Sequence, residues 1–334
     1  MTTEPGSPEA VVHVSVVGGG VIGTGWVLHY LRMGLDVRVW DPSPAARERV
    51  RPTVVATWPL MQDLGLRAGA SLDRLEVVAT LEEAVAGAEV VQEAAPEVVE
   101  LKAQLFAEMD EAAPERAVLL SSTSGMSMTT IQSRCRTPER TAAGHPFNPP
   151  YLVPLVEVVG GERTDPSTVD WAIDFYRSHD KDPIRMEKEV PAFIASRLQE
   201  AMWREALYMI GAGEATVEQI DLSIRQGPGL RWAITGPIMN FHLAGGPGGI
   251  AHVLDHFGPT LAEPWTRLRA PELTDELKQR LIDGCEREAA GRSVDELVDE
   301  RDRSLVAIMR ARAAVQAPSD TGREQPGRGV TAGT

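Results

Sequence analysis

Residues 14–26 read Val-Ser-Val-Val-Gly-Gly-Gly-Val-Ile-Gly-Thr-Gly-Trp, a β-branched apolar run that ends in a glycine cluster. Val27, Leu28, Tyr30 and Leu31 follow at helical spacing, so the stretch predicts a strand that turns at Gly18 directly into a helix. Such a turn leaves the helix N-terminus open to an anion. Gly18, Gly20 and Gly23 fit G-x-G-x-x-G: the first allows the tight turn, the second lets a pyrophosphate approach the backbone, and the third lets helix and strand pack closely. With Gly19, Val21 and Ile22 they form the expected cofactor loop. That pattern is weak alone. It gains weight from residues 36–40, Asp-Val-Arg-Val-Trp, which predict a second strand ending at Asp41, about 20 residues on, where a carboxylate can accept from both ribose hydroxyls. A carboxylate there repels a 2′-phosphate and favours NAD over NADP, although Arg47 and Arg49 stand close by.

Further apolar runs at 75–79, 88–92, 117–121, 140–144 and 155–159 alternate with helical stretches such as 44–64 and 97–112. This alternation predicts an α/β fold with a parallel, doubly wound sheet of Rossmann type, covered on both faces. Pro52 and Pro59 predict a break or kink in the helix over 44–64. Asp165 opens a helix to about His179, and residues 183–186 read as a closing strand. From Val190 the pattern changes: Phe193, Ile194, Leu198, Met202, Leu207 and Ile210 lie at helical spacing, and helices are expected to about Val315. The expected organisation is a disordered N-terminus over 1–10, a sheet domain over 11–189, an all-α domain for substrate and dimerisation over 190–316, and a disordered tail over 317–334. Two domains accord with 334 residues of which 43% are hydrophobic.

A net charge of −15 argues against nucleic acid and anionic membrane surfaces as partners, since both require a basic face. The two cysteines, Cys135 and Cys285, lack disulfide or metal spacing, which implies a reducing cytoplasm. His252 and His256 stand at i and i+4 without an evident third ligand, so no metal is expected. Residues 1–10 do not read as a signal peptide, and no apolar run of about 18 residues predicts a membrane span.

In a sheet of this kind ligands sit beyond the carboxyl ends of the strands, which singles out Ser124 after one run, His145 and Asn148 after the next, and Glu157 in the one following. Taken singly, Ser124 could cap the helix expected over 127–132, His145 could be structural, and Glu157 is a polar residue in an apolar strand. Together, with the order of the two domains, they make the sequence resemble the 3-hydroxyacyl-CoA dehydrogenase family from about Val11 to Val315. The resemblance implies His145 as catalytic base, Glu157 as the carboxylate holding its ring, and Ser124 as a hydroxyl near the substrate oxygen. It likewise implies Glu97 and Lys102 as a second cofactor segment, Asn148 beside the nicotinamide, and a homodimer. Oxidising a secondary alcohol by hydride transfer needs a proton acceptor within about 3 Å of the hydroxyl, and histidine suits the task.

The acyl-CoA enzymes carry an asparagine before Arg-Leu where this chain has Ser196, in Ala195-Ser196-Arg197-Leu198, which departs from acyl-thioester specificity. Residues 202–207, 227–233, 242–249 and 257–265 resemble the carnitine 3-dehydrogenase branch, which implies oxidation of the 3-hydroxyl of L-carnitine to 3-dehydrocarnitine. A quaternary ammonium cannot donate hydrogen bonds and is held by aromatic faces, so Phe147, Trp203, Trp232, Phe241 and Trp265 are cage candidates. The alternative for each is ordinary helical core, the reading to prefer for any one of them taken alone. Arg197 or Arg231 is the expected partner of the substrate carboxylate. The alternatives are a 3-hydroxyacyl-CoA or L-gulonate 3-dehydrogenase and, in another class, a non-catalytic NAD-binding protein of structural or regulatory use.

Overall fold

The computed structural model describes residues 5–257, 266, 274–277, 279 and 290–316. Strand β1 (His13–Val17) is buried from Val14 onward and passes through the glycine cluster into α1 (Val21–Arg32). Then follow β2 (Asp36–Trp40), α2 (Pro44–Leu64), β3 (Leu75–Val77), α3 (Leu81–Val85), β4 (Val90–Glu93), α4 (Val99–Ala112) and β5 (Val118–Ser121). A short α5 (Met128–Ile131) leads to β6 (Thr141–Pro146), β7 (Leu155–Val159), α6 (Pro166–Ser178) and β8 (Asp182–Arg185). The eight strands form one sheet in the order β3-β2-β1-β4-β5-β6-β7-β8. The order reverses between β1 and β4, the place where a dinucleotide crevice opens in sheets of this class.

The sheet departs from the expected all-parallel arrangement at one pair, since β7 runs antiparallel to β6 while β8 returns parallel to β7. The cause is the connection, because residues 147–154 are too few for the crossover that a parallel neighbour demands. The reversal sets His145 directly opposite Glu157 in the ladder.

Helix α2 is not broken at its prolines but runs through both Pro52 and Pro59. Both are exposed, so the carbonyls deprived of an N–H partner can turn to water. At its start, Ser43 accepts from Ala46 N–H and caps the helix. Residues 5–10, expected to be disordered, form a short turn over Pro8–Ala10, and the Gly6 carbonyl accepts from Trp171 Nε1 at 2.6 Å. Residues 317–334 lie outside the described part of the chain.

Between α1 and α6 lies an aromatic core in which Trp26 stacks on Tyr30 and Tyr176, with ring centroids 5.2 and 5.6 Å away. Its polar tips are paired: Gln92 Oε1 accepts from both tyrosine hydroxyls, and Trp26 Nε1 donates to Ser122 Oγ at 3.1 Å.

Helix α7 (Ala195–Gly211) belongs with the sheet in one compact unit, which among the described residues runs to Glu214 and includes residue 266. The other described residues, from Ala215 on, form a second compact unit of helices: α8 (Val217–Gln226), α9 (Pro228–Ala244), α10 (Gly249–Phe257) and α11 (Val294–Gln316). Helix α9 carries a kink at Gly236 (φ 73, ψ 166), just before Pro237. Among the described residues no helix is long and apolar enough to cross a membrane.

Candidate active site

The glycines of the β1–α1 turn are dictated by contact as much as by conformation. Gly18 has φ 117, and a Cβ there would stand 2.5 Å from the Ala94 carbonyl oxygen; a Cβ on Gly23 would stand 1.8 Å from the Gly18 oxygen. Gly20, in contrast, faces open space, and no side chain caps α1 there, so the first N–H groups of the helix are left for an outside acceptor. Val21 is exposed at the head of the helix and Ile22 half-buried behind it. At the end of β2, Asp41 is held by Gly19 N–H at Oδ2 and Ser43 N–H at Oδ1, both at 2.8 Å. Arg47 Nη1 donates to the Asp41 carbonyl at 2.6 Å. A cradle open at Gly20, an uncapped helix N-terminus and a fixed carboxylate fit the pyrophosphate and ribose of a dinucleotide.

The second segment is built around a buried ion pair. Lys102 on α4 is 1% exposed and donates to Glu93 Oε1 at 2.7 Å and to the Ala95 carbonyl at 3.0 Å. Glu93, itself fully buried at the end of β4, also accepts from Ser121 Oγ at Oε2 and from Ala95 N–H at Oε1. Lys102 Nζ stands 3.6 Å from Glu97 Oε2. Glu97 in turn gathers the loop after β5, accepting from Ser124 Oγ at 2.9 Å, from Ser124 N–H, and from Thr123 Oγ1 at 3.1 Å. Ser124 is therefore tied to Glu97 rather than to the helix, and the cap of α5 is Ser127, which accepts from Thr130 N–H. Lys102 lies beneath the loop, with its ammonium committed to the protein. Sequence reasoning missed Glu93, although a carboxylate closing the apolar run of β4 was its signal.

His145 and Glu157 meet as the ladder dictates, with Nδ1 2.9 Å from Oε2, His145 6% exposed and Glu157 fully buried. The other carboxylate oxygen, Oε1, accepts from Ile194 and Ala195 N–H, both at 2.8 Å. Those two amides face it because Ala192 (φ 59) and Phe193 (φ 50) are left-handed, turning the chain just before α7. Phe193, buried in the core, holds this turn, and its ring lies 5.7 Å from that of His145. Burial pushes the Glu157 carboxyl up, but the hydrogen bonds from His145, Ala195 and Ile194 outweigh it and hold the group below the usual carboxylate range. A carboxylate so held fixes the imidazole with Nδ1–H toward it and leaves Nε2 as the basic nitrogen.

The remaining predicted residues that are described fall in both units. Phe147 is half-buried with its ring edge-on to His145 at 4.9 Å, and Asn148 is exposed next to it, before a cis bond to Pro149. Ser196 is half-buried and Arg197 exposed in the first turn of α7, directly after the amides that Glu157 binds. Trp203 is exposed on α7; Trp232 and Phe241 are exposed on α9 in the second unit, and Trp265 lies outside the described residues. Among the described residues no group of three or more His, Cys, Asp or Glu could hold a metal ion.

The lowered Glu157 value makes a prediction for acid unfolding. A carboxylate with a depressed folded pKa contributes stability above its unfolded value and loses it as pH falls through the folded one. Urea midpoints of wild type and Glu157→Gln, measured from about pH 7 to about pH 3, are thus expected to converge toward acid. A gap that stays constant would contradict this account.

Residues 13–190 match the profile described as "3-hydroxyacyl-CoA dehydrogenase, NAD binding domain", and residues 193–281 match "3-hydroxyacyl-CoA dehydrogenase, C-terminal domain". The chain is 58% identical over 310 residues to an L-carnitine dehydrogenase of Nocardiopsis dassonvillei, covering 93% of this chain and 94% of that one. It is also 58% identical over 305 residues to an L-carnitine dehydrogenase of Streptomyces coelicolor, covering 91% and 96%. Among solved structures it is similar to an NAD+-dependent dismutase, 5-formyl-3-hydroxy-2-methylpyridine 4-carboxylic acid 5-dehydrogenase. That likeness has a TM-score of 0.77 at 26% identity and covers 91% of this chain and 99% of that one. With its glycine cradle at the switch point of the sheet and both profiles matched in order along its length, the chain belongs to the 3-hydroxyacyl-CoA dehydrogenase family.

Proposed function

We propose that this protein oxidises the 3-hydroxyl of L-carnitine to 3-dehydrocarnitine, with NAD as acceptor and His145 as the base. The observation that carries the chemistry is the buried His145–Glu157 pair, set by the ladder at the carboxyl end of an NAD-binding sheet. Support for the substrate comes from the relatives, since proteins 58% identical over nine-tenths of the chain bear the name L-carnitine dehydrogenase.

When bound, NAD supplies the acceptor for the hydride that leaves the carbinol carbon. The chain's part is the proton. His145 Nε2 takes it from the hydroxyl as the carbonyl forms, and Glu157, kept ionised by its hydrogen bonds, stabilises the resulting imidazolium. Gly18, Gly19, Gly20, Val21, Ile22 and Gly23 would cradle the pyrophosphate, Asp41 would take the adenosine ribose, Glu97 with Lys102 would form the second cofactor segment, and Asn148 would lie beside the nicotinamide. Ser124 would contact the substrate oxygen, and its tie to Glu97 would link that contact to the cofactor segment. For the substrate, Phe147 places an aromatic ring beside the base, where the quaternary ammonium of a short hydroxy acid can reach it. Ser196 and Arg197 at the head of α7 are the proposed contacts for its carboxylate, and Trp232 and Trp265 remain cage candidates. A homodimer in a reducing cytoplasm completes the reading.

The test is NADH formation with L-carnitine, D-carnitine, 3-hydroxybutyryl-CoA, 3-hydroxybutyrate and L-gulonate in parallel. Turnover of L-carnitine alone is the expected result. Turnover of a CoA ester or of gulonate instead would sink the carnitine assignment while retaining the His145–Glu157 chemistry, and silence on all five with NAD bound would favour a non-catalytic role.

A further inference from the structure

Lys181 precedes β8 and is 4% exposed, yet it has no part in the proton chemistry above. Its ammonium donates to the carbonyls of Pro150 and Val153, the latter at 3.1 Å, and lies 5.1 Å from the centroid of the Trp26 ring. Both carbonyls belong to the connection between β6 and β7, which starts with Phe147 and Asn148 immediately beyond the His145 strand. Within this connection Leu152 and Val153 N–H both donate to the Pro149 carbonyl at 3.0 Å, so residues 149–153 form a closed turn. The backbone next to Lys181 holds the end of the same connection, since Asp182 N–H donates to the Pro154 carbonyl at 2.9 Å. The turn also rests on α1, where a Cβ on Gly25 would come within 2.6 Å of Pro150 Cδ.

We propose that Lys181 is a positioning residue: by gripping Pro150 and Val153 it holds the turn behind Asn148 where cofactor binding requires it. The proposal rests on the reading of Asn148 as a neighbour of the nicotinamide. Burying an ammonium without a carboxylate on it is costly, and an apolar side chain could fill the same space without that cost. The cost is visible in the residue itself, whose pKa is pushed down to about 7 by burial first and by the Arg32 charge second, against Asp182 and Asp180. What the lysine adds over an apolar residue is a set of N–H donors that reach two carbonyls at once, and an apolar side chain offers none. The turn is thereby gripped from β8 and seated on α1, which leaves Asn148 exposed on its outer side.

Lys181→Met keeps the reach of the side chain and removes its donors. On the full chain, its Kd for NADH and KM for NAD are expected to rise about tenfold while the KM for the hydroxy substrate stays within about twofold. In hydrogen exchange, the Leu152 and Val153 amides are expected to lose protection in the same variant. A folded variant with wild-type NADH affinity overturns the proposal. So does weakened affinity without faster exchange at those amides, because Lys181 would then act elsewhere. Should Lys181→Met fail to fold, Gly25→Ala displaces Pro150 from its seat on α1 with Lys181 intact: weaker NADH binding with faster exchange at the Leu152 and Val153 amides supports the proposal, and unchanged binding overturns it. NADH binding needs no hydroxy substrate, so an inactive wild type would refute the carnitine reading and leave this result legible.

Discussion

His145→Ala is expected to lower kcat by about 10²–10⁴-fold while changing the Kd for NADH by less than about twofold. The separation follows from geometry. The cofactor cradle is formed by the β1–α1 turn and the end of β2, whereas His145 lies on β6 with its ring against Phe147 and Phe193. Removing the imidazole takes away the proposed proton acceptor and leaves Glu157 with the Ile194 and Ala195 amides. The measurement is single-turnover NADH formation alongside a fluorescence titration with NADH. Loss of NADH binding equal to the loss of turnover would mean that His145 shapes the cofactor site instead of serving the chemical step.

Lys102→Met is expected to destabilise the sheet domain by about 3–5 kcal/mol, because it leaves Glu93 charged and without a cation in the protein interior. Neither partner is solvated, at 1% exposed for Lys102 and 0% for Glu93, so water cannot replace the lost partner. Replacing both, as Lys102→Met with Glu93→Leu, is expected to recover most of that loss, since the double change removes both desolvation costs along with the attraction. Urea midpoints of the four proteins in the cycle provide the test. A single variant as stable as wild type would show that the pair is hydrated in solution. Even where stability recovers, NADH affinity should remain weak in the double variant, because Glu97 loses its cation and the Ser124 loop is gathered by Glu97 alone.

The cradle was legible because it is local. Strand, turn, helix and the acid at Asp41 are all determined within about 30 residues, the span over which glycine and capping chemistry act. The His145–Glu157 contact was legible through the family resemblance, but not from the strand pattern. Reading the alternation as wholly parallel would not set them opposite one another; the shortness of the 147–154 connection, present in the sequence, determined the reversal. Glu93 and Lys181 escaped because a charged residue in a sequence window reads as surface, and its burial is decided by strands far away in the chain. The break allowed for at the prolines of α2 does not occur, because the helix face that carries them is exposed.

The division of labour on Glu157 limits what can stand at that position. One oxygen serves the imidazole and the other serves two consecutive amides, and the side chain reaches both from a fixed place in the ladder. Aspartate has the same charge but is one methylene shorter, so it must withdraw from one client to keep the other. Glutamine keeps the length but brings two donors to a site whose surroundings are already donors. Of these three, glutamate alone holds both while leaving Nε2 of the imidazole as its basic nitrogen. Substrate preference in descendants of such a chain would have to change around the pair, through residues such as Phe147 and Ser196, and not through it.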